Sequence, residues 1–290
     1  MKKALFLLFG LTLVLLAQGC IRNNPYSMGK LELFITDAPP AANFKEVNVT
    51  IAKVEICKEN EDGNDEDNNW ITLSEPNEMI NLLEFSGGKL KDLGVVDLKP
   101  GQYNQIRMHI PENETLKSYN YVMVEKDGII SKEDLKVASR TIKLVNPFII
   151  KEGITTQLVV DFNVAHSISN DQGAEQGQNR RYVLTPVTRV ESLSTTGAIA
   201  GRVILEPAYE DLLIRVTTID PKGNEISTIC NEQGEFTLSF LPAGLYDLTF
   251  TTPAGETGVY YEAAYDGVEV ENGQSVILTD GITLQEQTLQ

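Results

Sequence analysis

The sequence predicts an all-β chain that folds as two antiparallel β-sandwiches behind a cleaved signal peptide. Three observations carry this expectation. Apolar and polar residues alternate in short runs from Lys30 onward. Turn-forming residues close the runs, as in Asp37-Ala-Pro-Pro, Pro221-Lys-Gly-Asn and Asn272-Gly273. A small, polar break, Glu191 to Ala198, separates a longer N-terminal set of runs from a shorter, cleaner C-terminal set.

The chain opens MKKALFLLFGLTLVLLAQGC: Lys2 and Lys3, an uncharged apolar run from Ala4 to Ala17, then Gly19 and Cys20. That run is too short to span a bilayer comfortably and reads as a secretory signal. With Cys20 directly after the cut it resembles the bacterial lipoprotein signal, although Ala17 stands three residues before Cys20, where Leu is commoner. The resemblance implies lipidation of Cys20 and attachment to a lipid bilayer through its acyl chains. Each buried CH₂ adds ~0.8 kcal/mol, so several chains hold almost permanently. The bland alternative is a plain signal peptide with Cys20 an incidental thiol. Ile21, rather than Asp, follows the anchor, which resembles the pattern of enterobacterial lipoproteins bound for the outer membrane. Residues 1–19 are thus expected to be the signal and 20–28 a tether.

The N-terminal unit is expected over 29–192, as a larger sandwich or partly open barrel. In KLELFITDAPP the residues Leu31, Leu33 and Ile35 share one face. In EVNVTIAKVEIC the apolar phase shifts from Val47, Val49 and Ile51 to Val54 and Ile56, which predicts a β-bulge near Ala52-Lys53. QYNQIRMHI, YNYVMVE, RTIKLV, TTQLVVDFNV and RYVLTPVTRV read as further strands, and a helical turn or two is expected around Met79 to Phe85. The C-terminal unit is expected over 193–290. Its runs include GAIAGRVIL, LLIRVTTID, EISTIC, GEFTLSF, GLYDLTF and GVEVENGQSVIL, where Asn272-Gly273 is a strong hairpin signal. The size suits one transthyretin-like or Ig-like Greek-key sandwich.

Two family resemblances follow from these stretches. Gly201-Arg-Val203 and NEQGEFTLSFLPAGLYDLTF (Asn231 to Phe250) resemble the carboxypeptidase regulatory-like, transthyretin-type module. That module belongs to a wider carbohydrate-binding-like group, and the resemblance implies a fold more than a function. GKLELFITDAPP, VNVTIAKVEI, WITL, INLLEF, LKPGQYNQIRMHI, LVVDFNVAHSI and YVLTPVTRV resemble, in order, a bacterial lipoprotein family known as domain of unknown function 4382, over about Gly29 to Val190. Asn81 and Asn163 stand where that pattern usually carries Asp, which counts against a metal role there. LKPGQY and LPAGLY also share a Pro-containing turn before a tyrosine, which raises the possibility of two tandem transthyretin-like sandwiches.

Net charge is −17, and removal of Lys2 and Lys3 takes it to −19. Such acidity argues against nucleic acid as a partner and against attraction to anionic lipid, so no nucleic acid is expected. Cys57 and Cys230 fall in different units and are expected to be free thiols. No cofactor and no metal is expected. The densest acidic segment, Glu59 to Trp70, offers Asp62, Asp65 and Asp67 as the nearest approach to a calcium site, but Asp67 stands where an EF-type loop needs glycine. A solvated loop is the simpler reading of it.

Candidate ligand-binding residues are Trp70, Arg107, His109, Tyr261 and Tyr265. Aromatic rings can stack on sugars, and His109 shares with Gln105 and Arg107 the face opposite Ile106, Met108 and Ile110. No nucleophile elbow, zinc-peptidase helix or phosphate loop is present in the sequence, so no catalytic residue is assigned. The function expected is a non-enzymatic envelope lipoprotein that presents a β-sandwich binding or structural surface to a glycan or another envelope protein. The runner-up is an accessory substrate-binding lipoprotein for polysaccharide uptake, and a carbohydrate-active or other hydrolytic enzyme comes third.

Overall fold

A computed structural model describes residues 27–38, 44–58, 69–114, 119–126, 128–170, 182–255 and 257–289. The Cys20 anchor and the acidic candidates Asp62, Asp65 and Asp67 lie outside the described residues. Within them the chain is all-β, and its sheets are mostly antiparallel. None of the described helices is long and apolar enough to cross a membrane.

Strand β1 (Gly29–Ala38) lies inside a four-stranded sheet beside β6 (Lys91–Leu98) and β11 (Thr155–Asn163), with β14 (Thr188–Ser192) at the edge beyond β11. Its alternation buries Leu31, Leu33 and Ile35 almost completely. A second sheet orders β10 (Thr141–Ile150), β7 (Gly101–His109), β3 (Lys53–Lys58) and β4 (Trp70–Ser74). A third orders β12 (Ile168–Asn170), β13 (Tyr182–Leu184), β9 (Ile129–Val137), β8 (Tyr121–Lys126), β2 (Phe44–Ile51) and β5 (Glu78–Asn81). Inward residues of all three sheets, from Leu31 to Val190, meet in one apolar core.

A second core, from Ile199 to Leu284, belongs to the C-terminal half. There β18 (Glu235–Pro242), β15 (Thr196–Arg202) and β21 (Ser275–Ile277) form one sheet. The other runs β17 (Glu225–Ile229), β16 (Arg215–Ile219), β19 (Gly244–Thr251), β20 (Val259–Val270) and β22 (Gln285–Thr288).

Three details depart from the sequence reading. The phase shift at Ala52 is a corner rather than a bulge: β2 ends at Ile51 in one sheet and β3 begins at Lys53 in another. The extra residue lets the inward face continue while the strand changes sheet. The expected helix near Met79 shrinks to a 3-10 turn, Leu82–Phe85, because Met79 and Ile80 pair with Thr50 and Val49 in β2. Finally, β1 with β11, β9 with β13 and β15 with β21 pair in parallel. Parallel neighbours need a crossover, which strand-by-strand alternation does not reveal.

The Pro-containing turns do the same job in both halves. Tyr103 and Tyr246 are buried to within 1%. Each hydroxyl donates to the carbonyl four residues upstream, Tyr103 to Lys99 at 3.0 Å and Tyr246 to Pro242 at 2.6 Å. The ring fills the core while the bond closes the turn, and Tyr103 stacks on Phe148 with centroids 5.6 Å apart. Tyr103→Phe and Tyr246→Phe keep the ring and leave a carbonyl without its donor. Each is expected to cost about 1–2 kcal/mol in urea unfolding; a change within error at both would refute the assigned role.

Cys57 and Cys230, one in each half, are not joined in a disulfide. Burial pushes the Cys230 thiol up to about 12 from an ordinary 9.0. The folded state therefore holds the proton more tightly than the unfolded one, so this stabilising contribution is complete below the unfolded value. It is lost as pH climbs from there toward the folded one. Removing the thiol with Cys230→Ala is expected to flatten the alkaline fall in melting temperature; an unchanged fall would assign it to other groups.

Candidate functional site

The sequence-derived candidates separate into two places. Trp70, Arg107 and His109 share the solvent side of the second sheet, where the register sets Arg107 opposite Glu55, His109 opposite Lys53 and Trp70 opposite Cys57. The Arg107 guanidinium lies 3.5 Å from the Trp70 ring centroid, a cation–π contact that covers one ring face. The His109 ring donates from Nε2 to Glu55 at 2.8 Å, and Lys53 reaches the other Glu55 oxygen at 2.7 Å. Burial pushes the Glu55 carboxyl up, but the bonds from Lys53 and His109 outweigh it and hold the group below the usual range. These groups thus contact one another on a partly exposed sheet surface. Tyr261 and Tyr265, expected as platforms, instead pack against the C-terminal core, and Tyr261 lies 5.2 Å from Tyr209 between centroids. Both lie in β20 at the same parity, so both turn inward.

A charged group that the sequence reading did not single out sits between the halves. Asp161 on β11 lies opposite Arg189 on β14, and Thr36 lies opposite Asp161 across the parallel pair, which puts Asp37 one residue away. Arg189 donates to Asp161 Oδ2 from Nε at 2.8 Å and Nη2 at 2.7 Å, with both side chains no more than 10% exposed. It also reaches across to the C-terminal half: Nη1 donates to the Phe240 carbonyl at 2.8 Å and Nη2 to that of Ser239 at 3.4 Å. Those carbonyls are presented by an irregularity in the β15–β18 register, where Phe240 takes φ 57°. A bulge of this kind turns backbone groups out of the ladder.

Asp37 is 4% exposed. Its Oδ1 accepts from Val164 N at 3.3 Å, whereas among the described residues Oδ2 has no hydrogen-bond partner. Burial first and Asp161 second raise its carboxyl well above the usual aspartate range, against the pull of the Val164 N–H. The available sequence signal was the placement of acids inside apolar runs, Asp161 in LVVDFNV and Asp37 in LFITDAPP. Asn163 and Asn81, the departures from the family pattern, have structural work. Asn163 Oδ1 caps the single helical turn Val164–Ser167 by accepting from His166 N, and Asn81 Oδ1 accepts from Val47 N.

Beside Arg189 a cleft of about 420 Å³ opens between the halves, lined by Asn163, His166 and Thr188 from one side and Asn224 and Glu225 from the other. A further groove of about 230 Å³, sharing Thr188, Arg189 and Asn224, extends it toward Lys143 and Asn146. The C-terminal wall is a turn held by Asp220, whose carboxylate accepts from Lys222 N, Asn224 N and Asn224 Nδ2, each at 2.8 Å. Gly223, at φ 88°, lets that turn close. Lys222 completes the joint by pairing with Glu191 at 2.7 Å. At the mouth, His166 Nε2 stands 3.7 Å from Glu225. Amide, carboxylate and imidazole groups from the two halves thus converge on a volume of the size that holds small ligands.

Removing the guanidinium would strand Asp161 in a buried site. Arg189→Met is expected to destabilise the chain by about 3–5 kcal/mol in denaturant unfolding. A loss below about 1 kcal/mol, the level of a surface ion pair, would show that the pair does not bear on stability.

The family described as Domain of unknown function (DUF4382) matches residues 28–186. No curated protein matches the chain. Among solved structures, a leucine-rich repeat protein from Bacteroides thetaiotaomicron is 11% identical with a TM-score of 0.20, covering 89% of this chain and 27% of its own. The Bacillus anthracis TIE protein is 15% identical with a TM-score of 0.21, covering 90% of this chain and 51% of its own. GBS52, the minor pilin of Streptococcus agalactiae, is 11% identical with a TM-score of 0.22, covering 89% of this chain and 97% of its own. The chain therefore spans 27% and 51% of the first two, and TM-scores at this level set neither architecture nor role.

Proposed function

This chain belongs to the family described as Domain of unknown function (DUF4382), and from that premise we propose a non-enzymatic binding lipoprotein of the bacterial envelope. Cys20 carries the lipid anchor, and the cleft between the halves takes a hydroxyl-rich ligand of one or two sugar units. The observation that carries this reading is the cleft, whose walls come from both halves and whose Asn163, His166, Asn224 and Glu225 can pair with hydroxyl groups. The sugar platforms first expected from Tyr261 and Tyr265 play no part in it, since those rings pack against the core.

A second reading, a protein partner, draws on the free edge of β14. That strand ends its sheet, and its Val190 carbonyl accepts from the Asn146 side-chain amide at 3.0 Å. Thr188 has the same parity, so its N–H faces the cleft side and can meet a short extended segment.

The two readings part in one experiment. The mature chain is screened on a glycan array, and hits are titrated by calorimetry against Asn224→Ala, Glu225→Gln and Thr188→Pro. The glycan reading expects saccharide binding that falls at least about tenfold, ~1.4 kcal/mol, in the first two variants. Binding untouched by them, or no saccharide bound at all, contradicts it. Cross-linking to an envelope protein that Thr188→Pro alone abolishes would establish the strand-edge reading.

A further inference from the structure

Next to the cleft, across Asp161, residues of both halves line a small, partly open pocket of about 20 Å³, room for one water-sized body. Its N-terminal wall is Thr36, Asp37, Gly87, Gly88 and Asp161, and its C-terminal wall includes Ser227, Thr228, Thr237 and Ser239. The Gly87–Gly88 loop closes against the opposite half, so tightly that a Cβ on Gly88 would lie 2.5 Å from Ser239 Oγ. The polar groups on these walls carry oxygen. Within this lining the Asp37 carboxyl is the group left over: it is 4% exposed, and among the described residues its Oδ2 has no hydrogen-bond partner.

We propose that this cavity binds one hard cation of the sodium or calcium size class, held by Asp37 and Asp161 with hydroxyl or carbonyl oxygens of Ser227, Thr228, Thr237 and Ser239. Charge supports it. Arg189 cancels Asp161, with which it shares Oδ2, and Arg215, which donates to Ser227 Oγ at 3.3 Å, is offset by Glu225. What is left is the Asp37 carboxyl, which gives up its proton as the ion enters and so supplies one negative charge. A monovalent ion balances that count, and a divalent one exceeds it by one. Hard cations take oxygen ligands, and carboxylate with hydroxyl and carbonyl groups is the donor set such ions use. Uncompensated burial of a carboxylate is costly, so an ion there stabilises the joint on which both halves close.

This site shares Asp161 with the glycan cleft, but its test does not depend on a sugar. The mature chain is stripped of metal and moved into neutral choline chloride buffer. Sodium, potassium, magnesium and calcium chlorides are then titrated while thermal unfolding is followed, with equilibrium dialysis measuring bound ion. The expected result is saturable uptake of a single equivalent of sodium or calcium, with a rise in melting temperature on the order of 5 °C. Asp37→Asn, nearly the same shape without the charge, is expected to remain folded and lose both responses. Wild-type chain that takes up no ion would overturn the proposal, whatever the variant does. Equal uptake by Asp37→Asn would overturn it too, by placing the ion elsewhere.

Discussion

The structure turns on one guanidinium. Arg189 lies on β14, the last strand of the N-terminal half, neutralises Asp161 within its own half, and hands two further N–H groups to carbonyls of the other half. Burial makes this contact consequential, because neither charge has water to fall back on. The cleft, the small cavity and the Lys222–Glu191 pair are all arranged around that residue. The bulge at Ser239–Phe240, with a non-glycine residue at positive φ, is the local strain the C-terminal half accepts to aim its carbonyls there.

The two halves also share a way of ending a turn. Tyr103 and Tyr246 each fill the core with a ring and satisfy a turn carbonyl with a hydroxyl. A buried polar group that is satisfied fixes one geometry, and a ring that is packed supplies the apolar burial. Placed in both cores, this device sets firm sheets on either side of the joint. The cleft walls are accordingly built from anchored elements, the β14 edge and the Asp220-held turn, rather than from loose loops.

Much of the fold was legible in the sequence because a half-buried strand must alternate. Leu31, Leu33 and Ile35, and likewise Ile106 and Met108, are buried where period-two reading puts them. Where that reading failed, pairing partners decided the outcome. A phase shift looks the same whether a strand bulges or turns a corner between sheets, and Ile80 became a strand residue only because Val49 lies beside it. The site was less legible for a related reason. Aromatic and basic residues on polar strand faces drew attention to Trp70, Arg107, His109, Tyr261 and Tyr265, yet two pack inward and the other three engage neighbours on the sheet surface. Asp37, Asp161 and Arg189 are far apart in sequence, and a parallel pairing brings the acids together. An acid inside an apolar run was the one local sign of them.

The central claim is that Arg189 locks the two halves at one mutual orientation. Spin labels at Val145→Cys and Ile219→Cys, exposed sites on opposite sides of the joint, report it directly through pulsed dipolar distances. The account predicts one narrow distance distribution in the otherwise native chain and a broad or shifted one when Arg189→Met is added. The same narrow distribution in both would contradict it, and would assign the orientation to contacts other than this guanidinium.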